Sequence, residues 1–148
     1  MARQSIKRLS VADVEFTAFS LAKELLEFGE PIPPFSTRYP SVLESCVATP
    51  FQTYCRRSLY KGIDGKAAIL FYLMTKNHPF QNGNKRIAIT TLLLFLFRNR
   101  RWIDTKNKDL YEFAKYVAGS DPKDKDKVID DIETFIRKGS VKVDEIKH

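Results

Sequence analysis

From Ile87 to Phe97 the chain is almost wholly apolar, and no other feature restricts its fold as much. The run is too short to span a bilayer, so it reads as a helix buried in a core. Upstream, Lys66 to Asn77 carries Ala67, Ala68, Ile69, Leu70, Phe71, Leu73 and Met74 and ends in a polar tip. Between these two helices stands the polar segment His78-Pro79-Phe80-Gln81-Asn82-Gly83-Asn84-Lys85-Arg86. It is therefore a loop between buried helices, at the N-terminus of the second. Such an end presents unpaired N–H groups and the positive pole of the helix dipole, and both suit a phosphate.

The rest of the chain reads as further helices. Ser10 with Asp13 resembles a capping box. Val11, Val14, Phe16, Phe19, Leu21, Leu25, Leu26 and Phe28 follow at helical spacing, ending near Gly29. Pro31-Ile32-Pro33-Pro34 makes residues 30–40 a loop. A short helix, 41–48, turns Val42, Leu43 and Val47 inward and stops at Pro50. Residues 49–63 mix aromatic and basic side chains and read as an extended flap or hairpin. Asp64 is suited to cap the helix before the loop, and Asn107 the helix that runs to Ala118 and stops at Gly119. A last helix from about Lys125 to Lys138 buries Val128, Ile129, Ile132, Phe135 and Ile136 and halts at Gly139. The expectation is an all-α bundle of about six helices with a small extended flap. It forms one domain over residues 1–139, with a frayed or disordered tail over 140–148.

A chain of 148 residues with 43% hydrophobic and 29% charged side chains is ordinary for a soluble globular domain. The N-terminus leads into Asp13 and Glu15 and not into an apolar run, so no secretory signal is expected. Cys46 and Cys55 lack metal-ligand spacing and read as reduced thiols of a cytoplasmic protein. The net charge of +7 is spread over Arg3/Lys7/Arg8, Arg56/Arg57/Lys61, Lys85/Arg86, Arg98/Arg100/Arg101 and a mixed run from Asp121 to Lys127. A phosphate-bearing ligand, an acidic protein and RNA all fit that scatter.

Within the loop, His78 is one of only two histidines, the other being His148, and it is the candidate acid–base group. Pro79 sets the chain direction after it, and Phe80 is suited to anchor the loop in the core. Gly83 permits a tight turn, and Asn84 can cap the helix. Lys85 and Arg86 place two cations in a helical first turn, where they oppose the dipole. An anionic ligand would turn that conflict into cooperation. Asn82 stands where a metal-binding carboxylate would be sought, and its amide brings no charge to a magnesium site.

The segment HPFQNGNKRIA, residues 78–88, resembles the signature of the Fic/Doc superfamily, HxFx(D/E)(G/A)N(G/K)R. The likeness extends from about Leu9 to Lys138. Lys85 in place of Gly, and Ile89 where Fic nucleotidyltransferases carry a second Arg, resemble the Doc (death-on-curing) branch. That resemblance implies a toxin that moves the γ-phosphate of ATP to a hydroxyl of a translation elongation factor of the Tu type. His78 would then be the general base, and Gly83, Asn84, Lys85 and Arg86 the phosphate cradle. Asn82 would hold Mg2+, weakly, because the family's acid is missing there. The substrate-docking flap would correspond to 51–61. Ser20-Leu21-Ala22-Lys23-Glu24 approaches the inhibitory pattern of Fic proteins, but Leu25 departs from it, so control by an antitoxin in trans is expected. The alternatives are a Fic-like AMP-transferase and a catalytically impaired basic module that binds RNA or a partner.

Overall fold

The computed structural model describes residues 5–25 and 31–143. Helix α1 (Val11–Asp13), a π-helical stretch (Val14–Ala18) and α2 (Phe19–Leu25) form one continuous rod. They are followed by α3 (Pro40–Ala48), a hairpin of β1 (Thr53–Tyr54) and β2 (Arg57–Ser58), and α4 (Gly62–Lys76). Next come α5 (Asn84–Arg98), β3 (Arg101–Ile103), α6 (Asn107–Ala118), α7 (Lys125–Gly139) and β4 (Ser140–Lys142). Among the described residues this is a six-rod helical fold with two small two-stranded sheets, the all-α architecture expected.

Helices α4 and α5 are its centre. Every residue from Lys66 to Thr75 is buried, as are twelve of the fifteen residues of α5. The rod of α1 and α2 is tied to α5 by two buried hydrogen bonds one helical turn apart. Thr90 Oγ1 donates to the Ala18 carbonyl (2.7 Å) and Arg86 Nη2 to the Ala22 carbonyl (2.7 Å). On the other side, α7 presents Val128, Ile132 and Ile136 at one-turn spacing to the core. Phe113 of α6 stacks between Phe71 of α4 and Phe135 of α7, with ring centroids 6.3 and 4.1 Å away. Lys76 Nζ donates to the carbonyls of Ala118 and Ser120, placing a cation on the C-terminal end of α6.

Several expectations are corrected. Phe16 is 73% exposed: two residues on from Val14, it faces away from the side of the rod that buries Val14 and Ala18. Asp64 and Asn107 do not cap. Their helices begin earlier, with Lys61 and Lys106 at the N-cap and no side-chain bond there. The tail is ordered at its start, because Ser140–Lys142 pair antiparallel with β3 and supply partners for its backbone groups. Gly139 permits this turn, since a Cβ there would stand 3.0 Å from both Ile103 Cγ2 and Thr105 Oγ1. The expected end of the first helix near Gly29, and the last five residues of the tail, lie outside the described residues.

Cys46 is buried and Cys55 exposed, both as free thiols, and burial pushes the Cys46 thiol up to about 12. No helix among the described residues is long and apolar enough to cross a membrane.

The capping box at Ser10 is present in both directions: the Ser10 N–H donates to Asp13 Oδ2 (2.8 Å) and the Asp13 N–H to Ser10 Oγ (3.1 Å). Arg98 holds the same carboxylate at 2.9 Å. Burial opposes the charge on Asp13, but the Ser10 bonds and Arg98 outweigh it, so the carboxyl lies below its ordinary value. A carboxyl depressed by folding stabilises above its unfolded pKa, and that stabilisation is lost as pH falls through the folded value. Denaturant midpoints are therefore expected to be lower for Asp13→Asn than for wild type at neutral pH, with the gap closing below roughly pH 4.

Candidate active site at the start of helix α5

The loop from Asn77 to Gly83 has to turn the chain between two buried helices, and each of its residues solves part of that problem. Pro79 is buried, and its carbonyl accepts from the Tyr39 N–H at 2.9 Å. Phe80 is 1% exposed and packs against Phe19 and Phe35, with ring centroids 5.7 and 5.9 Å away. These ring contacts seat the loop against the core. Gly83 has φ +72° and takes the N-cap position of α5. A Cβ there would meet Ile32 Cδ1 at 2.7 Å and the Pro31 carbonyl at 3.1 Å, so both the turn and the close approach call for glycine.

Asn84 was expected to cap α5. Instead it is the first residue of the helix, and its amide folds back onto the loop. Oδ1 accepts from the Phe80 N–H at 3.0 Å, and Nδ2 donates to the Phe80 carbonyl at 2.9 Å. Both polar groups of a buried residue are thus satisfied by one side chain. The same Nδ2 stands 3.4 Å from His78 Nδ1. Because the Phe80 peptide fixes which way the amide faces, His78 Nδ1 meets an NH2 donor and not an acceptor. That contact favours the neutral tautomer with its hydrogen on Nε2.

His78 is exposed and has φ +51°, a left-handed conformation that costs a non-glycine residue roughly 1–2 kcal/mol. Its fixed neighbours Pro79, Phe80 and Asn84 hold it there. Lys85 is half-buried in the first turn of α5. Arg86 is 8% exposed, and its Nη2 is engaged by Ala22 on α2, so this cation ties down the first rod as well as marking the helix start. Asn82 Oδ1 accepts from the Gly83 N–H at 2.9 Å. The donor set does not fit a resident magnesium site: the oxygen is uncharged and turned to its own loop, and residues 77–83 contain no carboxylate.

His78, Phe80, Asn82, Gly83, Asn84, Lys85 and Arg86 therefore gather on one loop and one helical turn. The β1–β2 hairpin does not join them. It precedes α4, whose first turn lies a helix length, about 20 Å, from the motif loop, and Phe51 at its base packs on Phe95 late in α5. The flap expected at 51–61 is thus at the opposite end of the bundle. The segment beside the loop is 31–39, through the Ile32, Phe35 and Tyr39 contacts above. Its proline cluster signalled a loop but not where the loop packs. A cleft of about 380 Å3 lined by Ser41, Val42, Ser45 and Asn77 opens next to His78.

A model of the Fic/DOC family matches residues 10–96 of the chain. The chain belongs to the Fic/DOC family. The match takes in the first rod, α3, the hairpin, α4, the motif loop and nearly all of α5. Fic/DOC enzymes are typically transferases. No curated protein and no solved structure matches the chain.

His78→Gly is expected to stabilise this Fic/DOC protein by roughly 1 kcal/mol, because glycine relieves the left-handed strain. Urea unfolding reads that gain, which His78→Ala does not share. In 15N NMR spectra at neutral pH, His78 Nδ1 is expected to appear without its hydrogen. Asn84→Asp, which offers Nδ1 an acceptor, is expected to move the hydrogen to Nδ1.

Proposed function

We propose that this protein transfers the γ-phosphate of ATP to a hydroxyl of a target protein. The observation that carries the reading is the placing of His78, through Asn84, within 3.4 Å of the first turn of a buried helix bearing Lys85 and Arg86. An acid–base group and an anion-binding helix start share one side chain. Phosphoryl transfer asks chiefly for positioning and charge neutralisation, which such a site can supply.

In the step we envisage, the α5 N–H groups and Lys85 hold the phosphates, and the cleft beside Asn77 leaves room for the nucleoside. The acceptor oxygen forms a bond to the γ-phosphorus as the bond to the β,γ-bridging oxygen breaks, and ADP leaves. The hydroxyl proton passes to His78. Its Nδ1 faces Asn84, so the receiving atom is Nε2, and the ring must first take the Nδ1–H form. A phosphate that competes for Asn84 Nδ2 favours that change, so nucleotide binding readies the base. Magnesium that arrives with ATP would add neutralising charge on the phosphates, and this loop offers it little beyond Asn82.

Two positions favour phosphate over AMP transfer. Lys85 puts a long cation where a glycine would leave the helix start open. Ile89, where a second arginine would hold distal phosphates, is a fully buried core residue. The acceptor in this reading is a translation elongation factor of the Tu type, with an antitoxin as the restraint in trans. The Doc-like toxin role rests on the same two positions.

The test incubates the protein with a bacterial lysate and ATP labelled at the γ or the α phosphorus, with His78→Ala in parallel. Label on a protein of elongation-factor size from γ only, lost by at least about 100-fold in His78→Ala, is the expected result. Label from α would establish AMP transfer instead. Asn82→Asp is expected to raise the rate and its dependence on magnesium. No transfer from either label, with Asn82→Asp equally silent, would leave a binding module.

A further inference from the structure

Cations far apart in sequence come together at the end of the bundle opposite the motif loop. Arg98, Asn99 and Arg100, where α5 ends, wall one side of a cleft of about 640 Å3. Ser5, Ile6 and Lys7 of the N-terminal arm and Ile63 of α4 line the rest. The arm is fixed in place, because the Lys7 N–H donates to Asn99 Oδ1 (2.7 Å) and the Lys7 carbonyl accepts from Asn99 Nδ2 (3.0 Å). The cleft therefore exists before any ligand arrives. Arg8 lies over the Phe51 ring at 4.8 Å, linking the arm to the base of the β1–β2 hairpin. That hairpin carries exposed Arg56 and Arg57 beside Tyr54, which is 72% exposed.

The charge here is poorly balanced within the fold. Arg98 is paired with Asp13, and Asp64 next to Ile63 is taken up by Arg137 at 3.7 Å. No carboxylate of the described residues pairs with Lys7, Arg100, Arg101 or Lys142. Arg101 and Lys142 stand directly opposite each other across β3 and β4, an arrangement that costs stability. Along the chain, an exposed Asp104 follows Arg101 by three positions and Asp144 follows Lys142 by two.

We propose that this face binds single-stranded RNA, with the cleft taking the phosphodiester backbone and Tyr54 offering a surface on which a base can stack. Arginine forks match phosphate oxygens, and an exposed tyrosine among arginines is the usual partner of unpaired bases. An acidic protein would meet the same arginines, but its carboxylates make no use of the exposed Tyr54 ring, whereas an unpaired base stacks on it. Most single strands in a cell are RNA. Binding here is independent of His78, which lies at the other end of α5.

Fluorescence anisotropy of the full chain with a labelled poly(U) of about 12 nucleotides tests the proposal. Affinity is expected to fall steeply between about 50 and 200 mM salt. The variant Arg100→Gln/Arg101→Gln/Lys142→Gln is expected to bind at least about tenfold more weakly, with its salt slope reduced by about three. Lys115→Gln/Lys123→Gln/Lys127→Gln removes equal charge from α6, α7 and the turn between them, and is expected to stay within about twofold of wild type, as is His78→Ala. Circular dichroism verifies that each variant is folded. Equal losses in the two triple variants would overturn the proposal by showing attraction to net charge alone. It would equally be overturned by the absence of binding, or by a polyglutamate peptide or duplex DNA displacing the RNA at lower concentration than unlabelled poly(U).

Discussion

The burial of α4 and α5 against each other is the constraint from which the rest of the structure follows. Two helices buried over most of their length must be joined by a turn that is itself half inside the protein, so its polar groups need partners. Asn84 supplies two of them with one amide. Once Phe80 is held by that amide and by the rings of Phe19 and Phe35, the residues on either side of it have little freedom. The strained backbone of His78 is tolerated because its neighbours are fixed, not because the residue prefers it.

The outer helices depend on the same pair. Thr90 and Arg86 reach from α5 to carbonyls one turn apart on the first rod, so the start of α5 also fastens the rod beside it. Arg86 thus has a structural duty that a motif alone does not reveal. The rod carries a π-helical stretch that ends at Ala18, the acceptor for Thr90, with Val14 and Ala18 in the core and Phe16 on the opposite, exposed side.

The antiparallel run of α4 and α5 also separates the molecule into two ends of different chemistry. The motif loop lies at one end with residues 31–39 packed on it. The basic cleft and the hairpin lie at the other. Sequence distance misleads here: the hairpin is nearer to His78 along the chain than Ile32 is, yet Ile32 is the residue that touches the loop.

The helices themselves were legible from the chain, because a buried helix needs a long apolar run and an amphipathic one a stripe at its own period, as in α5 and α7. The gathering of His78, Phe80, Gly83, Asn84, Lys85 and Arg86 was legible as well, since nine consecutive residues between two helices cannot be far apart. What Asn84 does with its amide was not, because a caps-like sequence is equally compatible with a bond backward to Phe80. The pairing of Ser140–Lys142 with β3 escaped because three polar or β-branched residues after a glycine carry no periodic signal, and only the edge left open by Arg101–Ile103 gives them a partner. The sequence by itself determined the local events: helix, stop, turn and the chemistry held within one loop. Tertiary structure alone decided which distant segments meet that loop and which cations share a face, because those contacts depend on helix direction and packing, and neither is written in neighbouring residues.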